Sequence, residues 1–291
     1  MFERFIVATD LSPASDAVVG CLGGLHAFGA RHALLLQCLD MQQATSVALS
    51  YSTTVLDDYL ARQQQVLEKQ GYEVETRIVP GFAKSEINRI AREEDYALIV
   101  VGSHGHSLVG EALLGGVASE VLHGTSRPVL IMHLKRDKVS GEVCVVPAGC
   151  DLMSHILFAT DFSENADHAF TFVENMVAAG ARRVTLLHVQ DLSRLEPHLA
   201  HRLDEFDAID RARLAELEAR LKARGAAEVE AVLRTGKPFL EIVALAKARG
   251  AHLVVMGSQG RGYVAEVFLG SVSHNVVRHA EVPVLLIPAA R

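Results

Sequence analysis

The chain has 291 residues, 22% of them charged and 49% hydrophobic, and a formal net charge of -7 at pH 7. That length suits one large domain or two of roughly 145 residues, and the acidic balance argues against a dedicated nucleic-acid binder, which carries a basic excess. No apolar run approaches the roughly 18 to 20 residues of a membrane helix, and the opening MFERFIVATD holds an acid and enters a strand-like run, so no secretory leader is expected.

In chain order, the first apolar run is FIVAT (5–9), followed by Asp10 and by DLSPAS, which has the look of a helix N-cap. The runs ALLLQCL (33–39), EVETRIV (73–79), ALIVVG (97–102) and PVLIM (128–132) follow, separated by helical patterns. The fourth run opens into a glycine-rich loop, GSHGHSLVGEALLGGVAS (102–119). Charged, Gly- and Pro-containing residues then mark a linker at 138–153, although EVCVV inside it is a further edge-strand candidate. Beyond it the series repeats as ILFAT (156–160), VTLLHV (184–189), EVEAVL (228–233), LVVMG (253–257) and PVLLI (283–287). The spacing predicts a helix over 197–224, with Leu203, Phe206, Leu214, Leu217 and Leu221 as packing residues rather than a cofactor box.

The repetition is a tandem duplication. Asp10 and Gly29 recur 151 positions later as Asp161 and Gly180, and Gly81, Gly102, Gly115 and Pro128 recur at an offset of 155. Two domains are therefore expected, 1–137 and 154–291. Continuous apolar runs suit parallel strands buried on both faces, and their alternation with helices predicts two doubly wound open parallel α/β sheets. Ligands of such sheets sit beyond the carboxyl ends of the strands, where the glycine loops fall.

In the second copy, Gly257 and Gly260 allow a tight turn and close approach to backbone. Gly270 and Ser271 open the helix SVSHNVVRH, whose unpaired N–H groups and dipole favour an anion. Ser271 and Ser273 add hydroxyl donors, so the loop reads as a phosphate cradle; the alternative is that Ser271 only caps its helix. Asp10 and Asp161, at the ends of the first strands, suit either a sugar or base contact or a helix cap. There is no G-x-x-x-x-G-K-[ST], and no G-x-G-x-x-G follows the first strand of either copy.

With the Asp after the first strand and G-x2-G-x9-G-[ST] after the fourth, the chain resembles the universal stress protein family, specifically its tandem two-domain, Rossmann-like members. The resemblance implies ATP in the second copy, with or without Mg or Mn, on a site of Thr160, Asp161, Val189, Met256, Gly257, Gly260, Arg261, Gly270, Ser271, Val272 and Ser273. Asp161 and the backbone at Val189 would hold adenosine, and the glycine and serine positions the phosphates. The first copy keeps Asp10, Gly102, Gly105 and Gly115 but has Gly116 and Ala118 where the second has Ser271 and Ser273. Its loop is a degenerate counterpart, either a weak site or a scaffold.

Four cysteines, Cys21, Cys38, Cys144 and Cys150, match no zinc or disulfide spacing. Cys21 and Cys38 read as small core residues, and a reducing cytoplasm is the expected address. His104 with His106, and His198 with His201, are read as surface or loop histidines, since neither pair shows a third zinc ligand. The expectation is a cytoplasmic stress-response protein that binds ATP in its C-terminal half and acts by regulation or protection, not as an enzyme. The alternatives are a slow ATPase or phosphotransferase, and an apolar-ligand binder in the N-terminal half. Adenine nucleotide is the expected partner, with neither nucleic acid nor membrane. The apolar fifth runs RPVLIMH and VPVLLIP are expected to pair as a pseudo-dimer within the chain, with a further homodimer left open.

Overall fold

The computed structural model describes residues 1–39, 52–104, 114–136, 143–146, 150–191, 202–260 and 269–290. The chain divides into two compact units, Met1–Cys150 and Asp151–Arg291.

Unit 1 contains β1 (Arg4–Thr9), α1 (Pro13–Gly20), a 3-10 turn (Gly23–Phe28), β2 (His32–Leu39), α2 (Ser52–Lys69), β3 (Glu73–Pro80), α3 (Ala83–Glu93), β4 (Leu98–Gly102), α4 (Gly116–Leu122) and β5 (Val129–Met132). Its strands lie in the order β3-β2-β1-β4-β5, all parallel. Phe5, Ile6 and Val7 of β1 and Leu98, Ile99 and Val100 of β4 are fully buried, as continuous apolar runs require when helices cover both faces. β3 mixes exposed and half-buried positions because it ends the order and has a strand on one side only.

Unit 2 repeats the plan with β8 (Ile156–Thr160), α5 (Glu164–Ala178), β9 (Arg183–Gln190), α6 (Leu203–Ala223), β10 (Glu228–Thr235), α7 (Pro238–Arg249), β11 (Leu253–Gly257), α8 (Ser271–His279) and β12 (Val284–Ile287). The order is β10-β9-β8-β11-β12, again parallel. In both units the order reverses beside the first strand, which opens a crevice at the carboxyl ends. The doubly wound open sheet expected from the sequence is present twice.

The edge-strand candidate inside the stretch read as a linker is a strand, β7 (Val143–Val145), which pairs antiparallel with β6 (Leu134–Arg136), and the next residue continues the tie as Val146 N–H donates to the His133 carbonyl. The cysteine reading is corrected. Cys21, at the C-cap of α1, is disulfide-bonded to Cys150 with Cα atoms 4.9 Å apart, inside the range a disulfide spans. A pair 129 positions apart leaves no local spacing to recognise. Cys38 is half-buried and its thiol is pushed up to about 11, first by burial and then by Glu86. It therefore stays protonated and unreactive near neutrality.

Candidate functional site

A cavity of 720 Å³ lies in unit 2 at the ends of β8, β9 and β11. Its floor is set by the turn from β8 into α5. Thr160 Oγ1 accepts the Phe162 N–H at 3.0 Å, and Asp161 Oδ1 accepts the backbone N–H and the hydroxyl of Ser163 at 3.1 and 2.6 Å. Ser163, not Asp161, is the N-cap of α5, its hydroxyl accepting from Ala166 N–H. The carboxylate thus holds the capping residue in place while lining the cavity.

Close approach explains the glycines. A Cβ on Gly260 would stand 2.3 Å from Asp161 Oδ2, and one on Gly257 would stand 2.7 Å from Asn165 Nδ2. Asn165 Nδ2 in turn donates to the Gln259 carbonyl at 3.0 Å, fastening the loop to α5. Gly270 is the N-cap of α8 and offers no side chain to its first-turn N–H groups. Ser271 is therefore the exposed first residue of the helix and not its cap. Ser273 differs from expectation: its buried hydroxyl donates to the Gly257 carbonyl at 2.9 Å, so that side chain ties β11 to α8 instead of pointing at a ligand.

A scan against protein-family models matches residues 1–133 and 153–288 to the universal stress protein family. The chain belongs to that family. A universal stress protein of Methanocaldococcus jannaschii is 31% identical over 151 residues, covering 45% of this chain and 93% of its own length. One from Mycolicibacterium smegmatis is 27% identical across 88% of this chain and 80% of its own length. The crystal structure of a universal stress protein from Archaeoglobus fulgidus covers all of both chains with a TM-score of 0.74 at 26% identity.

Within this universal stress protein, Thr160, Asp161, Val189, Met256, Gly257, Gly260, Gly270, Ser271, Val272 and Ser273 all line the one cavity. Arg261 lies outside the described residues. Pattern reading missed His188 and Gln190 of β9 and Asp191 just after it, and Ile209, Asp210 and Arg213 from α6. Leu203 and Phe206 were expected only to pack, yet they are half-exposed and line the cavity, whereas Leu214, Leu217 and Leu221 are buried as expected. The available signal was polarity: His188 is buried next to the apolar run Leu186–Leu187 of β9, and Asp210 is buried on α6.

Unit 1 repeats the turn and the glycine-capped helix start, and differs in the first residue of that helix. Asp10 Oδ1 accepts from the Ser12 hydroxyl at 2.6 Å, and Ser12 caps α1. Leu11 and Phe162 carry the same left-handed φ, 57° and 56°. Strain found in both units belongs to the turn itself and marks no ligand. Gly115 caps α4 without a side-chain bond, and Gly116 stands where unit 2 has Ser271. A Cβ on Gly102 would meet the His104 carbonyl at 3.1 Å. Gly105, His106, His198 and His201 lie outside the described residues. Among the described residues no three His, Cys, Asp or Glu side chains form a metal-sized group, and no helix is long and apolar enough to cross a membrane.

Proposed function

We propose that this universal stress protein binds an adenine nucleotide, ATP, in the cavity of unit 2 and acts as a regulatory or protective binding protein. One observation carries the reading: every described member of the expected nucleotide set lines a single cavity. The volume of 720 Å³ lies within the roughly 300 to 1,000 Å³ of small-ligand sites. The start of α8, uncapped by a side chain, supplies N–H groups and the positive end of a helix dipole for phosphate oxygens. The glycine packing against Asp161 brings the loop backbone within reach of the same ligand. A Mg or Mn ion would travel with the phosphates, keeping most of its own waters.

The same arrangement favours binding over turnover. Backbone N–H groups and one exposed serine hold ground-state phosphate, and uniform binding lowers no barrier. Among the described lining residues Arg213 is the cation of fixed charge, while fast phosphoryl transfer uses a lysine, a held metal and an oriented nucleophile.

Titration calorimetry with ATP tests the reading. We expect one nucleotide per chain, weakened about tenfold by Ser271→Ala through loss of one charged hydrogen bond. Absence of binding, or binding indifferent to Ser271, would overturn it.

A further inference from the structure

The Thr160 carbonyl can only accept, so His188 Nδ1, 2.8 Å away, carries a proton. That leaves Nε2 facing Asp210 Oδ2 at 3.4 Å, with both side chains nearly buried, 6% and 12% exposed. Gln190 Nε2 donates to the same carboxylate oxygen at 3.0 Å. Two lone pairs opposed at this range would repel. A proton between Nε2 and the carboxylate turns the contact into an imidazolium–carboxylate pair joining β9 to α6.

We propose that His188 and Asp210 form a proton-dependent latch that positions α6 as the wall of the cavity and sets its affinity for a phosphate-bearing ligand. The inference rests on the nucleotide reading above and adds a regulation to that site. Both residues are positioning groups.

The surrounding charges decide the sign. Asp161 beyond β8, Asp191 after β9 and Asp210 on α6 bring three carboxylates to the cavity. Arg213 faces them, 3.9 Å from Asp210 and 5.3 Å over the Phe162 ring, and the Phe162 ring also packs against His188 at 4.5 Å. From β10, Arg234 is engaged with Glu241 of α7 at 2.9 Å. The His188 proton adds one positive charge beside these carboxylates. Its loss both unfastens α6 and adds a net negative charge beside an anionic ligand. Affinity thus falls as pH rises, approaching tenfold per pH unit when one proton is required.

Among the described residues, unit 1 lacks this device. Gln37 stands at the position of His188, and Leu56 at that of Asp210 in the register aligning Gly71 with Gly225. There α2 is fastened by a neutral residue: Gln63 accepts the Thr9 hydroxyl at 2.8 Å and donates to Asp16 at 2.6 Å. The buried Gln37 Oε1 has no hydrogen-bond partner.

The test is ATP affinity measured from about pH 7.5 to about pH 9.5, above the second phosphate ionisation near 6. Wild type should lose about tenfold or more across that span. His188→Gln and Asp210→Asn should bind more weakly at the lower pH and show little slope. A flat wild-type profile with ATP still bound overturns the latch and leaves the nucleotide reading standing. Nitrogen-15 NMR of the ligand-free protein reads the His188 ring directly. Protons on both ring nitrogens at neutral pH support the latch, and a neutral ring overturns it whether or not any nucleotide binds.

Discussion

Unit 1 and unit 2 share a strand-to-helix turn down to its residue of positive φ, with Asp10–Leu11–Ser12 matching Asp161–Phe162–Ser163 in the three hydrogen bonds that shape the turn. They part where side chains meet the crevice: Gly116 against Ser271, Ala118 against Ser273, Gln37 against His188. The shared turn is therefore scaffold, and what distinguishes the two crevices as ligand sites lies among the differences. The contrast extends to covalent structure, since all four cysteines lie in unit 1. The sister units are built alike, braced differently and, on this account, used differently.

The largest expected contrast is in stability. Closing a loop across 129 positions constrains the unfolded chain by about 5 kcal/mol in the entropic picture. Reduction, or Cys150→Ser, should weaken unit 1 by up to about that amount and leave unit 2 in place. Hydrogen exchange resolved by unit would show it; equal loss in both would break the comparison.

Acid should sharpen the same contrast. Burial, with a smaller contribution from His104, depresses the His133 pKa to about 4. The unfolded chain takes up that proton near 6.5, so between about 6.5 and about 4 unfolding binds a proton and stability falls as pH falls. The full effect is about 3 kcal/mol. At the matching position unit 2 has Pro288, although burial also lowers the pKa of His155 there. His133→Leu should flatten the acid slope of unit 1 as followed by exchange, and an unchanged slope would remove His133 from the account.

Most strands were legible to within a residue because their apolar runs are short, continuous and bounded by glycine, Asp or proline. The glycine loop was legible because spacing records close approach: Gly260 has no room for a Cβ beside Asp161. What escaped was held by partners far apart in sequence. His188 and Asp210 sit on a strand and a helix 22 positions apart, and Cys21 and Cys150 are farther still. Leu203 and Phe206 kept a packing period while facing a cavity, since helical spacing gives the face but not what stands opposite. Ser273 was legible as a hydroxyl but not as a donor already committed to Gly257.

The central claim is that the nucleotide site belongs to unit 2, and paired calorimetry of ATP binding to Gly260→Ala and Gly116→Ala tests it most directly. The added methyl at Gly260 falls 2.3 Å from the Asp161 carboxylate, whereas at Gly116 it meets nothing within 4 Å. Making room at Gly260 displaces the Asp161 carboxylate from the cavity, so the account predicts an affinity loss of about tenfold or more for Gly260→Ala, the size of one charged hydrogen bond, and no measurable change for Gly116→Ala. Equal losses for the two variants, or a loss confined to Gly116→Ala, would contradict it.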